Sequence, residues 1–128
     1  NNIIFTGRVN YDDLPKFLQK SHIYISLPKT EGLSASLLES MSCGCVPIVS
    51  NIEGNQEVIK SGENGFLVDR ENTTEITEKI LFTINNLNFR KNAIRLNVKT
   101  VKEKFDIEKN VKNFIDKYSE IIQSRKYE

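Results

Sequence analysis

Four short apolar runs, separated by stretches of helical periodicity, leave this chain few folds to choose from. The runs are "NIIFT" (residues 2–6), "IYISL" (23–27), "VPIVS" (46–50) and "FLV" (66–68). Each reads as a strand buried on both faces, because the apolar residues are continuous rather than alternating. Between them the period changes. Leu14, Phe17 and Leu18 share one helical face, with Asp12 or Asp13 as cap and Pro15 tolerable in the first turn. Leu33, Leu37, Leu38 and Met41 share another over residues 33–43, and Gly44 is suited to a left-handed C-cap. A short helix over 55–60 should stop at Gly62, and Asn72 with Glu75 forms a capping box for a helix carrying Ile76, Ile80 and Ile84. Polar-faced helices over 89–104 and 108–123 close the chain after a break at 85–88. Strands alternating with crossover helices predict an α/β fold, a Rossmann-like parallel sheet of about four strands with helices on both faces. At 128 residues the chain is one domain, spanning 1–128.

Charge narrows the function classes. The formal net charge is +1, which gives no reason to expect a nucleic-acid partner. Residues 1–69 carry a net −3 and residues 70–128 a net +4, so the basic helices could face an anionic surface or simply water. Cys43 and Cys45 are too close for an ordinary disulfide and lack partners at metal-ligand spacing, so a buried structural role is expected and no metal. His22, just before a strand, reads as a core-edge histidine. The sequence has no apolar run long enough for a membrane span, and a cytoplasmic setting is expected. The opening "NNIIFTG", without methionine and directly into a strand, suggests a piece of a longer protein.

In parallel sheets of this type, ligands collect beyond the carboxyl ends of the strands. That points to residues 7–9, 28–34, 50–55 and the turn after Val68. Neither glycine-rich fingerprint of dinucleotide or P-loop sites follows any strand. Instead, two carboxylates bracket the start of the second helix, Glu31 and Glu39. If that helix begins near Gly32, the N–H groups of Gly32, Leu33 and Ser34 form an anion seat. Glu31 at the same mouth would repel a bare phosphate but could hold the hydroxyls of a composite ligand. At 100° per residue the apolar stripe of this helix spans about 140°, and Glu39 lies about 100° beyond its edge. A carboxylate offers only acceptors, which suits the paired hydroxyls of a ribose. The residues alone also allow a plainer account, in which Glu31 favours the helix N-terminus by about 0.3–1 kcal/mol and Glu39 faces water.

The stretch "PKTEGLSASLLESMSCGCVPIVS" resembles the C-terminal half of retaining glycosyltransferases of family 4 of the sequence-based classification. That family carries two glutamates separated by seven residues, as Glu31 and Glu39 are, followed by a glycine and a proline matched by Gly44 and Pro47. The resemblance continues through "NIEGNQEVIKSGENGFLV", where Gly54, Glu57, Gly62, Gly65 and Leu67 fall in register, and "FTGRV" is similar to the strand and loop bordering the nucleotide base. The chain departs from the pattern at Lys29, Ser34, Ser40 and Asn55, the last standing at the second glycine of a Gly-Gly pair.

The resemblance implies one half of a GT-B enzyme that uses a nucleoside-diphosphate sugar and needs no metal or other cofactor. It implies that Glu31 is catalytic and contacts donor-sugar hydroxyls, and that Glu39 binds ribose. Gly32, Leu33 and Ser34 would bind the distal phosphate, Gly7, Arg8 and Val9 would border the base, and Gly54 and Asn55 would form a donor-side loop. Arg8 and Lys29 are the cations near this site; the family supplies others from a stretch before Ile3. An N-terminal acceptor-binding domain would complete the enzyme, the fragment alone being inactive, and the whole could sit at the inner face of the cell membrane in surface polysaccharide or lipopolysaccharide assembly. Some apolar residues of the last helix, among them Phe114, Ile115, Tyr118, Ile121 and Ile122, would then face the partner domain. Other readings remain: a nucleotide-sugar epimerase, a phosphorylase, or a non-enzymatic anion-binding module using the basic helices.

Overall fold

A computed structural model describes residues 2–124. A 3-10 turn at Tyr11–Asp13 leads into α1 (Leu14–Lys20), then β1 (Ile23–Ser26), α2 (Ala35–Ser42), β2 (Val46–Ser50), α3 (Glu53–Gln56) and β3 (Phe66–Val68), followed by α4 (Thr73–Asn85), α5 (Leu87–Lys104) and α6 (Ile107–Ser124). The sheet is parallel, in the order β1-β2-β3, with Ile25 opposite Ile48 and Val49 opposite Leu67. All five residues of β2 are buried, as its continuous apolar run requires for a central strand covered on both faces.

Alternation along β2 builds two cores. Val49 faces a cluster with Leu37 and Met41 of α2 and with Val58 and Ile59, closed by Val101 and Phe105 from the end of α5. Ile48 faces the other way, with Phe66 and Val68 of β3, against Ile76 and Ile80 of α4 and Phe89 of α5. Phe66, Phe82 and Phe89 stack there with ring centroids 5.2–5.7 Å apart. Buried side-chain amides link loop and helix. Asn97 of α5 donates to the Asn64 carbonyl at 2.9 Å, and Asn64 donates to the Val58 carbonyl at 2.9 Å.

Several local signals hold. Gly44 has φ +91°, the left-handed stop expected after α2. Pro15 lies in the first turn of α1. The Asn72 side chain accepts from Glu75 N–H at 3.0 Å, although the Glu75 carboxylate returns to the N–H of Asp69 rather than of Asn72. Cys45 is fully buried and its thiol donates to the Leu18 carbonyl at 3.2 Å; burial, then the neighbouring Cys43, pushes its pKa up to about 11.

Four expectations are corrected. The sheet has three strands among the described residues, not four: residues 2–6 pair with no strand, and Ile3, Ile4 and Phe5 are 67%, 86% and 93% exposed. A strand's backbone groups need a ladder partner as well as apolar side chains. The second helix starts at Ala35 rather than near Gly32, and the short helix covers Glu53–Gln56 rather than 55–60. Asp13 stands at the N-cap of α1, but its side chain makes no capping bond and its carboxylate pairs with Lys16 at 2.7 Å. The closing helices run Leu87–Lys104 and Ile107–Ser124, the first capped by Asn86, whose side chain accepts from Phe89 N–H at 2.9 Å.

Candidate functional site

The loop from β1 to α2 carries Glu31, Gly32, Leu33 and Ser34 among the residues singled out by the sequence. Ser34 is the last extended residue before α2, and its hydroxyl hydrogen-bonds Ser36 at 2.8 Å, which meets the Tyr24 hydroxyl at 2.8 Å. The first α-helical bond runs from Leu38 N–H to the Ser34 carbonyl, so the unpaired amides of the helix start belong to Ala35, Ser36 and Leu37. The anion seat of the helix end is therefore three residues later than expected. Gly32 is an exposed loop residue, and Leu33 packs partly against the core.

Gly54 draws α3 onto this loop. A Cβ built on it would stand 2.5 Å from the Gly32 carbonyl carbon and 2.9 Å from the Glu31 carbonyl oxygen, so only glycine admits the approach. Glu31, Gly32 and Gly54 are thus brought together through backbone contact, with the Glu31 residue itself exposed. Asn55 is turned the other way. It is 2% exposed, its side chain donates to the Ser50 carbonyl at 2.8 Å, and its N–H donates to the Ile52 carbonyl. Both of these donor groups are engaged inside the protein.

Glu39 stands half-buried on α2, where its Oε1 accepts a hydrogen bond from the Tyr11 hydroxyl at 2.9 Å. That bond, with the charge of Glu39, raises the pKa of the Tyr11 phenol above its ordinary value. Both residues line a cavity of about 500 Å³ whose walls include Leu14 and Leu18 of α1, Leu38 of α2 and Phe105. Burial pushes the Cys43 thiol, on the same cavity, upward as well. A pocket of this volume is within the range for small organic ligands.

Other expected residues lie elsewhere. Arg8 and Val9 line a separate hollow of about 510 Å³ with Lys16 and Lys20, while Gly7, at φ +63°, is exposed on the preceding arm. Lys29 lines a third hollow of about 330 Å³, with Ser50, Asn51 and Arg70, at the carboxyl ends of β2 and β3. The cavity of Glu39 is not lined by Gly7, Arg8, Val9 or Glu31. Tyr11 and Arg70 were missed by sequence reasoning. Arg70 lay in the turn after Val68, where the sheet rule pointed, whereas no spacing rule pairs Tyr11 with a residue 28 positions away. His22 is exposed at the start of β1, with its carbonyl accepting from Val46 N–H. Among the described residues no three His, Cys, Asp or Glu side chains are grouped to hold a metal, and no helix is long and apolar enough to cross a membrane.

Residues 1–100 match the family model described as glycosyl transferases group 1. The chain belongs to that family. This glycosyl transferases group 1 chain is 38% identical over 115 residues to an uncharacterized glycosyltransferase of Methanocaldococcus jannaschii, covering 89% of the chain and 29% of that relative. Its backbone resembles the C-terminal domain of a glycosyl transferase group 1 family protein, LpcC, from Francisella tularensis, with TM-score 0.72, 22% identity, and coverage of 80% of this chain and 53% of that one. It also resembles sucrose-phosphate synthase from Thermosynechococcus elongatus, with TM-score 0.87, 17% identity, and coverage of 94% and 30%. The chain spans about a third of the length of curated relatives it matches, 29% and 34% for two of them. The fold is that of one Rossmann-like half of a GT-B glycosyltransferase.

Proposed function

We propose that this chain is the donor-binding half of a retaining glycosyltransferase that moves a sugar from a nucleoside-diphosphate sugar to an acceptor hydroxyl. The observation that carries the reading is the half-buried Glu39 carboxylate on the wall of a cavity of about 500 Å³, one helix from the Glu31 loop that Gly54 packs against. In this reading Glu39 accepts from the ribose hydroxyls, and Glu31 contacts donor-sugar hydroxyls near the reacting carbon. The free amides at the start of α2, with Gly32, Leu33 and Ser34 before them, receive the distal phosphate, where charge builds as the glycosidic bond to the diphosphate breaks. Gly7, Arg8 and Val9 border the base, and Gly54 supports the sugar loop through its backbone. Lys29 and Arg70 share a hollow at the strand ends and supply positive charge there.

The chemistry asked of these groups requires no metal. An acceptor-binding domain of the same protein supplies the other wall of the cleft, and the reaction takes place on the cytoplasmic side, at or near the membrane, in surface polysaccharide or lipopolysaccharide assembly. Family membership favours this over an epimerase or phosphorylase, since the matched model is described by glycosyl transfer.

Calorimetric titration of the full-length protein with UDP, GDP and ADP tests the reading. Replacing Glu39 by alanine is expected to cost about 1.5–3 kcal/mol of affinity for the preferred nucleotide, the range for a hydrogen bond to a charged group. Unchanged affinity removes Glu39 from the site, and amide shifts confined to α5 and α6 on titration overturn the donor assignment itself.

A further inference from the structure

The exposed side chain of Tyr11 makes a long-range contact that packing does not account for. The residue is 74% exposed, yet its hydroxyl donates across 28 residues to Glu39 Oε1 at 2.9 Å. Glu39 takes part in none of the ion pairs among the described residues, so a neutral phenol, rather than a cation, holds its carboxylate. Both side chains line one cavity, Tyr11 from the turn entering α1 and Glu39 from α2.

We propose that Tyr11 is a positioning residue for the donor, its hydroxyl holding the Glu39 carboxylate in the orientation that receives the ribose hydroxyls. This rests on the donor-binding role proposed for Glu39. A free glutamate on a helix surface samples several rotamers, and fixing it before the ligand arrives removes an entropic cost from binding. A carboxylate has about four lone-pair sites, so one bond from a phenol leaves capacity for both hydroxyls of a vicinal diol. A lysine or arginine at the same point would occupy the oxygens more strongly and neutralise the charge that polarises those bonds. Tyrosine has only two side-chain torsions to fix, and Tyr11 sits in a 3-10 turn continuous with α1, whose Leu14 and Leu18 line the same cavity. The tie is built on a short, stiff base.

A double-mutant cycle on the full-length protein separates this role from a merely structural one. Tyr11→Phe keeps the ring and removes the hydroxyl. Its dissociation constant for the best-bound of UDP, GDP and ADP is expected to rise about 3- to 10-fold, the cost of ordering one freed side chain on binding, with little change in melting temperature in the absence of ligand. In a Glu39→Ala background the same substitution should have no further effect, because its action passes through the carboxylate. NMR titration of ring-labelled tyrosine should show the Tyr11 phenol ionising at lower pH once Glu39 is replaced. Unchanged or tighter binding by Tyr11→Phe, with Glu39→Ala weakened, overturns the positioning role and leaves the donor reading standing. An equal loss in both backgrounds also overturns it. Unchanged binding by Glu39→Ala, or no binding of any of the three nucleotides by the unaltered protein, takes down both.

Discussion

Asn55 illustrates how a residue's chemistry can mislead about its direction. The resemblance implies a donor-side loop at Gly54 and Asn55, although Asn55 departs from the Gly-Gly pattern of the family, and a polar side chain at that position also solves a packing problem. The Ser50 carbonyl lies at the buried end of β2, and the Asn55 amide satisfies it at 2.8 Å. Asn55→Ala should lower stability by about 1–2 kcal/mol, read from urea unfolding, because it removes a buried hydrogen bond. Nucleotide affinity should not move. A reversed result, stability kept and affinity lost, would return Asn55 to the donor loop. Glu39 was legible from sequence because its angle on α2 follows from the helical period alone. Tyr11 was not, since nothing local announces that the turn before α1 will bring a hydroxyl to α2.

At the scale of elements, periodicity read the helices and central strands well, and their ends less well. The two-fold alternation in β2 and β3 and the stripes of α2 and α4 are properties of a few consecutive residues. Whether residues 2–6 form a strand depends on a partner edge, and the start of α2 depends on how the loop before it is held. That loop is held by α3. Its first turn presses Gly54 against the Glu31–Gly32 peptide, so the short helix acts as a stop for the loop bearing the proposed catalytic acid. Gly54→Ala introduces a methyl where a carbonyl carbon stands 2.5 Å away, and backbone must move to admit it. Overpacking of this kind costs about 1–3 kcal/mol of stability. Donor-sugar binding should weaken more than binding of the nucleotide alone, because the displaced segment carries Glu31 and not Glu39. Calorimetry with both ligands measures the difference, and equal losses for the two would argue against a sugar role for that loop. At the other end of the chain α6 carries an apolar stripe from Ile107 to Ile122 with no buried residue, so none of its own packing within the described residues explains its sequence.

Across the whole molecule the sheet separates two cores, and Glu39 and the free amides at the start of α2 lie on one side of it. The core with Leu37, Met41 and Val49 carries α2, and α2 carries Glu39 and the free amides; the core with Ile48, Phe66 and Val68 is closed by α4 and the start of α5. A ligand that bridges the β1–α2 loop, α2 and the cavity against α1 therefore ties these three elements together. Binding only the folded state, a nucleotide at a hundred times its dissociation constant adds about 2.7 kcal/mol of stability, which for a domain of this size is a rise of about 10 °C in melting temperature. The same experiment distinguishes a donor site from an anion-binding surface made by the basic helices after Arg70. A surface of that kind would respond to tripolyphosphate as strongly as to a nucleoside diphosphate, and its effect would fade with salt, since exposed charges are screened beyond about 10 Å at 0.1 M. A donor site should respond to the nucleoside diphosphate far more than to tripolyphosphate, and the shift should persist in salt, because the ribose bonds to the half-buried Glu39 are local. Equal shifts from the two ligands, abolished together at high ionic strength, would favour the charged-surface account.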